Sequence, residues 1–537
     1  MGQFTQSKVA AFGDSVMWGQ GIKHKNKFTT LIAKSVFGLD FSPYDNYAQS
    51  GAKVTISDNS KDHVNTTELP DYGEISSSSP SITRQVNAYG LNIPKNTPID
   101  SSSLELTFPD MEVVFLNGGI NDIGAFDLVT GKKAGLSRIA RLVRTHCELG
   151  LTRLLQDARR KFPNAQLISF GYHFVLSVDS LKSIIDVIEL VAREDQNFAR
   201  QYRNGVRTCH YFMSLSTAAY QKAIDEFNLS DLKAGNKGAF FVPSLHTENR
   251  ASFASKSLVW DIKHLNRRPL AKFLIALMKW DVISLLEVID LKDEVVDERR
   301  AASNIIYAKN LQNRAKCYMA SLFHPNSSSA RSVAGIARAT FRDFAGSISV
   351  QENFSERSLK RSFEKLGFTS DVSIRQVFAT NTVASIELRG TIKAGSSGPF
   401  PYYLLNIQLK TKSNSWTMKL NHLLPFIKGF SDGKDDVFPT PTGKITRRGG
   451  LSSEGRTERD ARFHFFAYPG RIIPLSKVRE ISLISDKIKD LSSTDKFNMA
   501  TKGLQLIING RPIPIISRSI NVLASGSKSE ESPLAFL

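Results

Sequence analysis

Short apolar runs alternate with amphipathic stretches through the first half of the chain. Runs at 8–12, 44–48, 112–117, 166–170 and 239–243 have the length and aliphatic or aromatic content of strands. Between them, Leu136 to Phe162, Leu181 to Arg203 and Ser214 to Phe227 repeat apolar residues at helical intervals. Strand alternating with helix predicts an α/β domain of three layers, a parallel sheet flanked by helices on both faces. Crossover connections then bring the strands' carboxyl ends to one edge, where open α/β sheets hold their ligands.

The pattern changes in the second half. Glu294 to Leu322 mixes charged and apolar residues at helical spacing, and the turn-rich run from His324 to Ser329 interrupts it. Beyond Phe341 come short β-rich runs, among them 383–388, 402–409, 416–420, 462–468 and 504–511, several of them alternating apolar with polar residues. That pattern suggests an antiparallel sandwich. The expected organisation is an α/β domain over 1–290, a helical connector over 291–340, a β-rich accessory domain over 341–520 and a disordered tail over 521–537. Residues 429–460 read as a long loop, and the sixty or so residues between Gly51 and the run at 112 exceed what a compact crossover needs.

Candidate chemistry sits at the ends of the apolar runs. The first delivers Gly13-Asp14-Ser15, which puts a serine on a sharp turn before a helix, where its hydroxyl stands clear of the backbone. Another ends in Gly118-Gly119-Ile120-Asn121-Asp122, placing a side-chain amide at a strand's carboxyl end, and a third piece closes on Gly51, whose N–H can face a bound oxyanion. Asp261 precedes His264 by one helical turn, close enough to orient an imidazole. His173 and His246 also end apolar runs, but lack such an acid. Asp14 and Asp122 have the character of helix-capping carboxylates.

Taken together, these four blocks resemble the SGNH hydrolases, also called the GDSL esterases and lipases, over about residues 8–275. Valine stands at position 16 where the family usually has leucine, and Leu265-Asn266 replaces the proline commonly found after the histidine. The resemblance implies a flavodoxin-like sheet, Ser15 as nucleophile, His264 as general base and Asp261 as its orienting acid. It further implies an oxyanion hole from the N–H of Ser15, the N–H of Gly51 and the side chain of Asn121, supported by Asp14, Gly119 and Asp122. It requires no cofactor and no metal.

Length and composition set the outer bounds. At 537 residues two or three domains are expected, and 34 phenylalanines provide for sizeable cores. The three cysteines lie far apart and show no zinc spacing, which suits a reducing compartment or indifference to redox state. No apolar run reaches membrane-spanning length, and no secretory segment precedes the first strand, so the expected location is cytoplasmic or outside by another route. The formal charge of +19 invites an anionic partner. Arg138, Arg141 and Arg144 recur on one helix face, and aromatic and repeat signatures of nucleic-acid binding are missing, so the charge reads first as scattered solvated surface and next as attraction to an anionic membrane, with nucleic acid the weaker case. The expected function is therefore hydrolysis of carboxylic esters, lipid or phospholipid esters first. Carbohydrate or peptidoglycan O-deacetylation and a non-catalytic binding role on the same scaffold stand as alternatives.

Overall fold

The computed structural model describes residues 7–55, 81–91, 106–131, 136–177, 179–180, 196–232, 234–244, 246–260, 272, 276, 293–306 and 321–350. In the C-terminal part it describes the strands named below, the turn between β6 and β7, and residues 469 and 473. The expected loop at 429–460, the tail beyond 522 and most of the stretch between Gly51 and 112 lie outside the described residues. The chain divides into two compact units, Met1–Gly346 and Ser347–Leu537.

Four parallel strands form the sheet of the first unit, in the order β1 (Val9–Phe12), β2 (Val113–Leu116), β3 (Gln166–Phe170) and β4 (Ala239–Val242). Every residue in them is buried, which explains why they read as continuous apolar runs rather than alternating ones. The stretch expected as a strand at 44–48 differs. Pro43, which has no N–H to give a ladder, opens a short 3-10 turn capped by Ser42, and only Asn46 bridges to Ala11. Even so, the N–H groups of Tyr47 and Gln49 donate to Ala11 and Gly13 at 2.8 and 2.9 Å, so this run lies along the free edge of β1. The chain thus steps from β1 to one side and returns to β2 on the other. That reversal opens a crevice at the carboxyl ends of β1 and β2.

Helices α1 (Ser15–Trp18) and α2 (Ile120–Ile123) begin where β1 and β2 end. Helix α3 (Leu151–Lys161) precedes β3, α4 (Gln196–Asp231) precedes β4, and α5 (Val296–Ile306) and α6 (Ser327–Val350) follow the sheet. The expected helix from Leu136 to Phe162 is broken into Leu136–Val143, a wider π turn at Arg144–Gly150, and α3. Of the two helices expected between 181 and 227, the second part of the first and all of the second merge into α4, with 181–195 outside the described residues.

Aromatic side chains fill both sides of the sheet. On one, Phe170 packs on Phe28, Phe115 on Phe41, and Phe240 on Phe341 of α6. On the other, Phe12 meets Tyr89 and Phe162, and Phe241 stacks on Tyr220 of α4. Helix α6 starts within the segment expected to bound the domains, yet Phe341 lies against β4. The first unit accordingly extends to Gly346 and takes in the whole of the expected connector.

The second unit contains antiparallel pairings throughout its described strands. Strands β5 (Ile386–Ile392), β6 (Leu405–Lys410), β7 (Ser415–Lys419), β8 (Asn421–His422), β9 (Ala461–Ala467), β10 (Glu480–Ser485), β11 (Phe497–Met499), β12 (Thr501–Ile508), β13 (Arg511–Ile513) and β14 (Ile520–Val522) form sheets ordered β13-β12-β5-β9-β8, β10-β6-β7 and β11-β14.

One buried cation ties the α/β layers together. Arg159, near the end of α3, donates to both carboxylate oxygens of Asp231 at the end of α4, and to the carbonyls of Pro163, Ala165 and Gly238 at 2.9, 2.7 and 3.2 Å. These acceptors flank the entries to β3 and β4. Arg159→Met leaves Asp231 buried without its ion pair and is expected to destabilise the first unit by about 3–5 kcal/mol in denaturant titration.

Candidate active site

The end of β1 is shaped by close approach. A Cβ on Gly13 would fall 2.5 Å from Met17 Cβ and 3.0 Å from the carbonyl of Asn117, so only glycine lets the turn fold back onto β2. Gln85 clamps the same turn, accepting from the Gly13 N–H at 2.9 Å and donating to its carbonyl at 3.1 Å. Asp14 is the N-cap of α1, its Oδ1 accepting from Val16 N–H at 2.9 Å, the capping role expected for it. Ser15 follows at the first helical position and is buried apart from a small exposed edge.

Tyr172, two residues past β3, joins this turn to the next. Its hydroxyl donates to Asp14 Oδ2 at 2.6 Å and accepts the Ile120 N–H at 3.2 Å. Burial pushes the Asp14 carboxyl up to about 6, against the hydrogen bonds from Tyr172 and the α1 backbone that favour its charged form. Tyr220 of α4 adds a second brace, donating to Asn117 Oδ1 at 2.6 Å and accepting from Gly118 N–H at 3.1 Å. At Gly119, φ is +126° and a Cβ would meet Cys147 Sγ at 2.7 Å.

Asn121 and Asp122, on α2, hold the loop that contains Gly51. Asn121 Nδ2 donates to the Ala52 carbonyl at 3.1 Å, and Asp122 Oδ2 accepts from Val54 N–H at 3.0 Å. From the other side, Ser50 Oγ donates to Gln20 just beyond α1 at 2.7 Å. Asp122 also meets His146 Nδ1 at 3.2 Å. Ser15, Gly51, Gly119 and Asn121 thus belong to turns that hydrogen bonds tie together at the carboxyl edge of β1 and β2. Among the described residues, neither the Ser15 nor the Gly51 N–H has an acceptor.

The imidazole at Ser15 belongs to His324. Its Nε2 lies 2.6 Å from Ser15 Oγ, across 309 positions of sequence. Nδ1 lies 3.2 Å from the carbonyl oxygen of Leu322, which can only accept, so Nδ1 carries the proton and Nε2 is left to receive one from serine. The sequence expectation gave this place to His264 with Asp261; both lie outside the described residues. No local acid marks His324. Three residues before it stands Ser321, whose buried hydroxyl donates to Asp293 and accepts from Arg299 at 3.1 Å, with Asp293 and Arg299 themselves ion-paired. The signal that could have found it is Pro325, the proline that the resemblance places after the histidine.

A short antiparallel pairing presents the histidine. Trp260 N–H donates to His324 O at 2.8 Å, Phe323 N–H to Trp260 O at 3.0 Å, and Asn326 N–H to Leu258 O at 2.9 Å. Desolvation lowers the His324 pKa from its ordinary 6.5 to about 4, with neighbouring His173 and Arg299 acting in the same direction and the Leu322 carbonyl against it. The ring is only half-buried, so water at its exposed edge moderates that shift.

No family model matches the chain, and no curated protein does. Among solved structures it is similar to phospholipase A1 from Streptomyces albidoflavus NA297, at 14% identity and a TM-score of 0.27, over 48% of this chain and 88% of that one. It is also similar to an extracellular lipase from Streptomyces rimosus, at 14% identity and a TM-score of 0.27, over 49% and 91% respectively. A third likeness is to a carbohydrate esterase family 2 enzyme with a carbohydrate binding domain from Corynascus thermopiles (Myceliophthora fergusii), at 18% identity and a TM-score of 0.26, over 53% and 68%. At these values the likeness says nothing of activity, which rests on the side-chain geometry alone.

Two stability effects follow. Tyr172→Phe strands a buried carboxylate oxygen and the Ile120 N–H, and is expected to cost about 1–3 kcal/mol in denaturant titration. Burial also holds His173 at about 4 and His210 and His246 at about 3. The unfolded chain binds protons at these positions from about 6.5 downward while the folded chain does not. Their contribution to stability is therefore complete above about 6.5 and is lost as pH falls toward 4. Asp14, Asp45 and Asp122, raised instead of lowered, act in the opposite sense, but His324, lowered to about 4, joins the other three histidines, whose unfolded forms begin to take up protons near 6.5. The thermal midpoint is expected to fall steadily between pH 7 and pH 4.5 in a calorimetric series.

Proposed function

We propose that the first unit is a serine ester hydrolase of the SGNH type, acting through an acyl-enzyme on carboxylic esters. The observation that carries this reading is the Ser15 hydroxyl in hydrogen-bond contact with a histidine whose tautomer is fixed by a backbone carbonyl. His324 Nε2 takes the proton as Ser15 Oγ attacks the ester carbon, and returns it to the leaving alcohol as the tetrahedral intermediate collapses. A water then repeats the sequence on the acyl-enzyme and releases the acid. The oxyanion is received by the N–H groups of Ser15 and Gly51 and by the second hydrogen on Asn121 Nδ2, the first being used on Ala52. Asp14, Gly119 and Asp122 hold these donors in place.

Lipid esters, phospholipids included, are the proposed substrates. Support comes from the formal charge of +19 and from Arg138, Arg141 and Arg144, all of them exposed, which favour an anionic surface. Among the described residues no helix is long and apolar enough to cross a membrane, so contact with lipid would be peripheral. The β-rich second unit is read as an accessory sandwich.

A fluorophosphonate probe is expected to label the intact chain, with labelling abolished in Ser15→Ala and reduced at least about 100-fold in His324→Ala. His264→Ala and Asp261→Asn are expected to label normally; loss of labelling there with retention in His324→Ala would return the base to the position expected from sequence. Asn121→Ala is expected to lower kcat by about 10²–10³. The acid limb of kcat/KM is expected below 6.5, since only neutral His324 accepts the serine proton. On para-nitrophenyl esters, activity rising from acetate through medium chains supports lipid, and activity confined to acetate indicates deacetylation. An unlabelled chain indicates a binding protein.

A further inference from the structure

We infer that His173 positions His324 for proton transfer by holding the peptide plane between Phe323 and His324. The inference rests on the hydrolase reading. Phe323 has φ +67°, a left-handed backbone that a bulky aromatic residue adopts only when its surroundings impose it. Both peptide planes around it are gripped. The plane before it is held by the Phe323 N–H donating to Trp260 O at 3.0 Å, and that plane's own oxygen, on Leu322, receives His324 Nδ1–H. The plane after it is held at both ends: its oxygen, on Phe323, accepts from His173 Nε2 at 2.9 Å, and its N–H, on His324, donates to Ser321 O at 2.9 Å. Loss of the His173 hydrogen bond leaves that plane pinned at its N–H end alone, free to tilt out of the strained turn and carry the His324 ring out of line with Leu322 O and Ser15.

His173 suits this task by placement and by charge. It lies three residues beyond β3, so the grip is anchored to the sheet. The ring is buried and packs against that of His246, which in turn contacts Ser329 Oγ at 2.9 Å, beyond the histidine loop in the first turn of α6. Because a carbonyl can only accept, Nε2 is the protonated nitrogen of a neutral ring. A lysine or arginine could make the same hydrogen bond but would set a fixed charge beside His324, which becomes cationic during the reaction. Among the described residues, the charged or titratable groups acting on His324 are His173 itself and Arg299.

The test uses the full chain and compares His173→Phe, which keeps a ring but no donor, with His173→Gln, whose amide nitrogen occupies the place of Nε2. Readouts are the rate of fluorophosphonate labelling at Ser15, kcat and KM on para-nitrophenyl acetate, the pH profile, and the thermal midpoint. In His173→Phe, labelling and kcat are expected to fall about 10–100-fold with KM within about twofold, as for a misplaced catalytic group. His173→Gln is expected to recover most of that loss, with an acid limb moved toward the ordinary imidazole range because one proton-binding neighbour is gone. If His173→Phe fails to fold, His173→Asn, too short to reach the carbonyl, takes its place with the same expectation. Wild-type rates in His173→Phe, a glutamine variant as slow as the phenylalanine one, or a loss confined to KM would each overturn the inference. A wild-type chain that takes no label would remove the hydrolase reading and this inference together, whereas normal labelling that is indifferent to residue 173 removes this one alone.

Discussion

The hydroxyl of Tyr172 is the point on which the arrangement at the sheet edge depends. It donates to Asp14, the acid before Ser15, and accepts from the first N–H of the helix that carries Asn121, so one oxygen atom spans the ends of three strands. Both partners are buried, as is Tyr172 itself, so loss of the hydroxyl leaves polar groups stranded in the interior. The cost of keeping a carboxylate there is visible in its raised pKa. What is obtained is registry: the turn after β1 and the turn after β2 cannot drift independently, and the loop at Gly51 is bound to both through Gln20 and Asn121.

A second constraint concerns how the His324 imidazole is oriented, for among the described residues no carboxylate contacts it. Among those residues the buried acid nearest in sequence, Asp293, is committed to Arg299 and Ser321 and braces the loop rather than the ring. The Leu322 carbonyl fixes the tautomer instead, and a neutral acceptor stabilises an imidazolium less than a charged one does. Burial works in the same direction by favouring the neutral ring. On the proposed reading, proton transfer from serine depends on the distance and alignment of the ring, which is why the backbone around Phe323 matters.

How much of this was legible depends on how local each signal is. The turns that hold Ser15, Gly51 and Asn121 could be placed because each follows an apolar run, and a parallel sheet buried on both faces writes its strands as such runs. The first layer of the fold followed from the same fact. His324 could not be found that way. Its orienting group is a main-chain oxygen, which leaves no mark on composition, and its partner lies 309 positions away. Asp261-x-x-His264 carried a stronger local pattern and drew the assignment. The run at 44–48 looked like a strand because its residues pack like one, but Pro43 limits the pairing to a single bridge. The length of α4 was hidden by glycine, serine and threonine within it, where tertiary packing overrides weak helix propensity.

The span between Ser15 and His324 has a temporal consequence. During synthesis Ser15 emerges 309 positions before His324, which follows the four described strands of the parallel sheet. No shorter nascent chain contains both. On the proposed hydrolase reading, competence thus waits for closure of that long loop, and the growing polypeptide passes most of the assembly of its first unit without a complete site.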